Sequence, residues 1–403
     1  MQNIFIGRQP IYDSGLKVQA YELLFRSGPD NHAVVANGDQ ATSQVILNAV
    51  VDIGLDQLVG NAPAFINLTR NFLVRTEPLP LPPDRVVLEV LEDIQVDGTV
   101  LAAVRRLADM GYTIALDDFV FREELRPLLE LAEIVKIDIR NLGRSEVQDH
   151  VQQMQRYPLT LLAEKVETYD DLAFCKDLGF QRFQGYFFSR PKVITGQRIP
   201  ANRLATLQLL AKLQQPDTEV AELEKIIQQD LTLSFRLLRY INSAFFALPR
   251  KVESIRQAVV YLGTNAIKTW VALLALSGID DKPHELMTVA MVRAKMCELL
   301  AQAMSAPHPD AFFTVGLFSA LDAILDIPMD QVVASLPLSD EITAALLRRE
   351  GLLGSALDCA LAYEQAHWDE VAFGTMNTGH ITEVYVDALA WACQVSSALS
   401  ARD

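Results

Sequence analysis

The strongest constraint on the fold is a change of texture along the chain. Up to about residue 191, short β-rich runs alternate with longer amphipathic segments; beyond it, strand signals almost vanish. The β-like runs are "NIFIG", "VQAYELLF", "AFINL", "RVVLEVL", "YTIALDD", "IVKIDI", "LTLLAEKV" and "RFQGYFF". Between most of them lie helical patterns such as "ATSQVILNAVVDIG" and "GTVLAAVRRLADMG". Strands separated by helices predict a parallel sheet with crossover connections. This many strands before residue 192 predict a compact α/β TIM-like barrel rather than an open doubly wound sheet. No GxGxxG turn follows the first strand, which also argues against the open form.

The second half predicts an all-α domain. Amphipathic helices succeed one another, broken at Pro216, Pro249, Gly263, Gly278, Pro307, Pro328, Pro337 and Gly351. In "SIRQAVVYLG", Ser254 and Gln257 form a capping box and Gly263 stops the helix. The expected domains are therefore residues 1–192 and 193–403.

Charge and cysteine usage narrow the function. A formal net charge of −16 argues against a surface that coats DNA or RNA, which needs clustered Lys and Arg. It leaves open a small anionic ligand held by metal ions or a few arginines. Cys175, Cys297, Cys359 and Cys393 show no CxxC spacing and read as buried thiols of a reducing compartment. No signal peptide is visible, and the apolar stretches are too short to span a bilayer. The expectation is a soluble cytoplasmic protein with no membrane partner.

Barrel active sites lie at the C-terminal ends of the strands. The runs of the first half deliver Glu22 with Arg26, Asn67, Glu89 with Glu92, Asp117 with Asp118, Lys136 with Asp138, Glu164 with Glu167, and Gln184. Any one of these has a plain structural explanation, as a helix cap or an ion-pair partner. Several carboxylates aimed at one barrel mouth raise one another's pKa, and cations relieve that strain. Hard oxygen donors suit Mg²⁺ or Mn²⁺. Carboxylates with an Asn and a Lys point to two metals activating a water against a phosphodiester.

The order of these residues resembles the EAL domain, the cyclic-di-GMP phosphodiesterase of bacterial signalling, over about residues 3–191. "GRQPIYD", "YELLFR", "FINLT", "LEVLE", "IALDDF", "VKID", "AEKVET" and "FQGYFFSRP" follow the family's segments in sequence. The resemblance implies a metal held by Glu22, Asn67, Glu89 and Asp117, with Asp118 and Glu164 serving a second. It implies that Glu164 is a ligand or the general base, that Lys136 orients the water or offsets phosphate charge, and that Glu167 supports them. Arg26, Gln184 and Gln9 would face the substrate. It further implies hydrolysis of cyclic-di-GMP to linear pGpG and a homodimer formed through the barrel.

The chain departs from the family pattern at defined places. Glu-Ala-Leu is Glu22-Leu23-Leu24, Leu91 replaces a Thr, and Lys165 replaces the Gly between two acids. The loop after Asp118 reads "FVFREEL" where the family carries glycines. Two readings follow: a metal-dependent phosphodiesterase, or a receptor or scaffold that binds without turnover.

In the second half, "DLTLSFRLLRYINSAFF" and "VESIRQAVVYLGTNAIKTWVALLAL" resemble the HDOD domain, a helical module related to HD phosphohydrolases. No His-Asp dipeptide occurs in the chain, so this half reads as non-catalytic. The resemblance implies a regulatory role and a protein partner. Arg236, Arg239 and Asn242, at helical spacing, read as a solvated face beside a Leu and Phe stripe. Trp270, Trp368 and Trp391 read as packing residues.

Overall fold

The computed structural model describes residues 4–27, 54–74, 79, 81–185, 201–215, 219–243, 245–246, 250–279 and 282–400. The helix expected in "ATSQVILNAVVDIG", the segment between residues 186 and 200, and the expected domain boundary there lie outside the described residues. The chain divides into two compact units, residues 1–188 with 362–370, and residues 189–361 with 371–403.

The first unit is a closed barrel of eight strands in chain order. They are β1 (Ile4–Asp13), β2 (Val18–Ser27), β3 (Ala64–Leu68), β4 (Val86–Val90), β5 (Thr113–Leu116), β6 (Ile134–Asp138), β7 (Thr160–Glu164) and β8 (Arg182–Gln184). From β2 to β8 every neighbouring pair is parallel. β1 is antiparallel to both β2 and β8, unlike the all-parallel sheet expected from alternation. The cause is length: only four residues, 14–17, join β1 to β2, and a parallel partner needs a crossover of roughly a dozen residues. Asp13 folds that short turn, its carboxylate accepting the backbone N–H of Gly15 and Lys17, both at 2.9 Å.

Strand periodicity then sets the barrel interior. Ile11, Ala20, Phe65, Val87, Ala115, Ile134 and Leu162, one from each of the first seven strands, form a buried apolar layer. The helices outside cover the strands with apolar stripes of their own. The helix Gly98–Asp109 begins at Asp97, whose carboxylate caps the Val100 N–H at 2.9 Å, and buries Val100, Ala103, Val104 and Leu107.

In the second unit all described secondary structure is helical. Ser254 caps the helix Ile255–Leu262 by accepting the Gln257 N–H, while the Gln257 amide reaches back to the Glu253 N–H, and Gly263 ends the helix at φ 85°. Arg236 and Asn242 are not a solvated face. Arg236 donates to the Leu274 carbonyl and the Ser277 hydroxyl. Asn242 donates to the Leu238 and Val252 carbonyls and accepts the Val252 N–H. Both spend their hydrogen bonds joining neighbouring segments. Trp270 packs against Tyr240, Phe245, Phe246 and Trp391, with ring centroids 4.6–6.0 Å apart. Among the described residues no helix is long and apolar enough to cross a membrane.

Candidate functional site

Two residues along each strand from the apolar layer, toward one mouth of the barrel, the interior positions turn polar. Ala20 is followed at this spacing by Glu22, Phe65 by Asn67, Val87 by Glu89, Ala115 by Asp117, Ile134 by Lys136, and Leu162 by Glu164. On the antiparallel β1 the order reverses, so Gln9 stands two residues before Ile11 and pairs with Glu22. Because side chains alternate between the two faces of a strand, residues two apart share a face, so all these groups point the same way as the apolar layer, into the barrel. Glu22 is accordingly a mid-strand residue of β2, not its end.

The centre of this polar layer is the Lys136 ammonium, 1 % exposed. It lies 2.7 Å from Glu89, 2.7 Å from Asp117, 3.0 Å from Glu164 and 3.2 Å from Glu22. Glu22 is held further by the Asn67 amide at 3.2 Å and the Gln184 amide at 2.7 Å, and Gln184 also donates to Gln9 at 2.9 Å. The structure thus brings together Glu22, Asn67, Glu89, Asp117, Lys136, Glu164, Gln184 and Gln9. Arg26 lies in β2, and its side chain is outside what the structure describes. Glu167 is not in the cluster; it stands at the rim, 3.2 Å from the Arg140 guanidinium.

Burial and mutual repulsion set the charge states. Burial pushes Glu89 well above the usual carboxylate range, and the Glu22 charge adds to it. Burial likewise raises Glu164, to about 8, despite the neighbouring Lys136. Burial opposes ionisation of Glu22 too, but Lys136 and the Gln184 and Asn67 amides outweigh it and leave its pKa lowered. Lys136 is itself opposed by burial, yet four carboxylates hold it firmly protonated.

Among the described residues no three acids enclose a point as a ready-made metal cage; the Lys136 ammonium holds the middle. The donor set nevertheless fits a hard divalent cation. It offers oxygen donors, and four acids share one ammonium. Glu89 Oε1 faces the Lys136 ammonium, while Glu89 Oε2, Asn67 Oδ1, Asp118 Oδ1 and Gln184 Oε1 are buried without a hydrogen-bond partner. Buried oxygens of this kind are costly to leave unsatisfied and are natural ligands for Mg²⁺ or Mn²⁺.

Two loops shape the rim. After Asp117, Asp118 takes a left-handed backbone, φ 40°. The Phe119 N–H returns to the Lys136 carbonyl at 3.0 Å, and the Phe121 N–H to His150 Nδ1 at 3.3 Å. The glycine-free loop is therefore pinned both to β6 and to the helix Arg144–Met154. After Glu164, Lys165 is also left-handed, φ 55°, and its ammonium binds the Asp138 carboxylate. Gly185 allows this loop to close: at φ 151°, a Cβ there would lie 2.0 Å from the Val166 carbonyl oxygen. Sequence reasoning noted Lys165 and Asp138 separately but not their pairing. The available signal was period two, which puts Asp138 on the same face as Lys136. The His150 contact, 29 residues from Phe121, left no local signal.

A closed eight-stranded barrel with this polar mouth defines an EAL-type domain, and the helical unit follows it. The EAL domain family model matches residues 50–191 and the HDOD domain family model residues 199–328. β1 and β2, which carry Gln9 and Glu22, precede the first match. The chain belongs to the family of two-domain EAL–HDOD proteins. It is 34% identical over 405 residues to the cyclic di-GMP phosphodiesterase CdgJ of Vibrio cholerae, covering 98% of this chain and 94% of the relative. It is also 34% identical over 399 residues to the uncharacterized protein YuxH of Bacillus subtilis, covering 96% and 98%. Among solved structures, the calcium and cyclic-di-GMP complex of Klebsiella pneumoniae BlrP1 superimposes with a TM-score of 0.39 at 23% identity, covering 47% of this chain and 56% of that one.

Proposed function

We propose that the barrel hydrolyses cyclic-di-GMP to linear pGpG with divalent-cation assistance. The observation that carries this reading is the polar layer itself: four acids around one ammonium at the mouth of a barrel, with buried oxygens still lacking partners. The full-length likeness to a relative named a cyclic-di-GMP phosphodiesterase supports it.

The site has two cationic positions. Glu22, Asn67, Glu89 and Asp117 would hold Mg²⁺ or Mn²⁺ at the first, and Asp118 with Glu164 face the second. A cation bound here offsets phosphate charge and makes a water acidic enough to attack phosphorus. Glu164 takes the proton of that water, a role that suits a carboxyl raised to about 8. Attack forms a P–O bond from that water and breaks one P–O3′ bond, opening the ring, and the departing O3′ takes a proton from solvent. Lys136 supplies positive charge as the phosphorane forms. Gln184 fixes Glu22 and, with Gln9 and Arg26, faces the substrate. Glu167 acts from the rim through Arg140. The protein works in the cytoplasm, consistent with its free cysteines. It dimerises through the barrel and meets a protein partner, not nucleic acid, through the HDOD domain.

The test is direct. Purified protein with cyclic-di-GMP and Mg²⁺ or Mn²⁺ is expected to yield the linear product. Glu22→Ala and Glu164→Ala are each expected to remove at least about a hundredfold of that rate, the scale of losing a general base. Binding without product at any cation concentration would replace the enzyme with a receptor.

A further inference from the structure

One segment of the barrel mouth is gripped from the outer helices. Between Asp118, assigned to the second cationic position, and the short turn Glu123–Leu125 runs a loop without glycine. Asp118 enters it at φ 40°, a region an aspartate occupies at a cost that glycine does not have. Strained backbone of this kind persists where its surroundings impose it. Two backbone donors mark those surroundings. The Phe119 N–H reaches the Lys136 carbonyl at 3.0 Å and ties the near end of the loop to β6. The Phe121 N–H reaches His150 Nδ1 at 3.3 Å and ties the far end to the helix Arg144–Met154. Between the strand and the second tie lies Asp118, whose Oδ1 is buried with no hydrogen-bond partner.

Helical spacing puts His150 where the loop can use it. Val147, Val151 and Met154 are the buried stripe of this helix. His150, three residues after Val147, stands at the edge of that stripe and is half-buried. An imidazole that accepts at Nδ1 carries its proton on Nε2. Just beyond the helix, the Arg156 guanidinium lies 5.7 Å from the centre of the Phe121 ring. Phe121 is thus held twice from the same side, by its N–H and by its ring.

We propose that His150 is a positioning residue of the barrel site: by holding the Phe121 N–H it fixes the backbone of residues 118–121, and with it the Asp118 carboxylate at the second cationic position. The proposal rests on the cation-assisted reading given above and names what keeps that position formed in a loop without glycine. His150 acts only through the loop, by a hydrogen bond three residues beyond Asp118. Outer contacts that orient a metal ligand are typically worth about 10–100-fold in affinity or activity.

Equilibrium dialysis of the full chain against Mn²⁺, beside amide hydrogen exchange of the loop spanning Phe121, tests it. His150→Ala removes the acceptor. His150→Asn keeps one, because Asn Oδ1 and His Nδ1 stand the same number of bonds from the backbone. In His150→Ala the loop is expected to exchange faster, and one of two Mn²⁺ dissociation constants to rise about tenfold while the other holds. Turnover is expected to fall at limiting Mn²⁺ and to recover at saturating Mn²⁺. His150→Asn is expected to restore all of these. Helix propensity alone would order the variants the other way, since Ala favours a helix more than Asn. Wild-type Mn²⁺ constants in His150→Ala, equal weakening of both ions, or an asparagine variant as impaired as the alanine one would each overturn the proposal and leave the cation-assisted reading standing. So would a single bound ion in the wild type. No bound Mn²⁺ in the wild type would remove both.

Discussion

At the scale of single residues, Lys136 sets the charge balance of the site. Four carboxylates share its charge inside a site where it is 1 % exposed. Removing one partner of a buried ion cluster leaves charge uncompensated, typically at about 3–5 kcal/mol. Lys136→Met is thus expected to lower stability by about 3 kcal/mol in metal-free buffer. A divalent cation relieves the same repulsion, so Mn²⁺ is expected to raise the melting temperature of Lys136→Met by more than it raises the wild type. Thermal melts with and without Mn²⁺ read both effects. A variant as stable as the wild type without metal would show that the acids are already neutral, and that the lysine is not what balances them. The places of Asn67 and Asp117 in the polar layer follow from spacing along the strands. That of Glu167 does not, because rim position depends on where a loop turns rather than on strand alternation.

At the scale of elements, the barrel was legible because its strands keep period two. From β2 to β7 each strand reads apolar and then polar at consecutive inward positions, as in Phe65–Asn67 and Ile134–Lys136. That pattern alone places the charged layer. The direction of β1 was legible only through the length of the turn at Ser14–Lys17, which alternation by itself ignores. The loop after β7 was harder still, since its shape is dictated by the residue that follows β8. Gly185 sits where the Val166 N–H reaches the Gln184 carbonyl at 3.0 Å. Adding a methyl group 2.0 Å from the Val166 oxygen forces one strand end away from the other. Gly185→Ala is expected to cost about 3 kcal/mol, the upper range for overpacking. It is also expected to lower turnover, because Gln184 and Glu164 flank the displaced segment. Urea unfolding beside a turnover assay measures the pair. Wild-type values in both would mean that the backbone at this position has room the geometry denies.

At the scale of the whole molecule, the net charge of −16 and the anionic substrate proposed for the barrel pull in opposite directions. A dinucleotide with two phosphodiester charges is repelled by the protein's overall field and attracted only where cations gather at the barrel mouth. The distant charges are screened by salt over roughly 10 Å at 0.1 M, while contacts inside the mouth are screened much less. Salt therefore weakens the distant repulsion while leaving the attraction inside the mouth largely intact, so affinity does not fall with salt. This differs from a nucleic-acid surface, where releasing condensed counterions makes affinity fall about a thousandfold or more between 50 and 200 mM salt. For this chain, the KM for cyclic-di-GMP at fixed Mn²⁺ is expected to change by no more than about threefold across that range. In the helical unit, Arg236 and Lys282 are committed to neighbouring carbonyl, hydroxyl and carboxylate groups. A fall in affinity of a hundredfold with salt would reveal a basic binding surface at odds with this charge distribution. A flat response would show that a few cations at one barrel mouth, not the surface around it, recognise the phosphates.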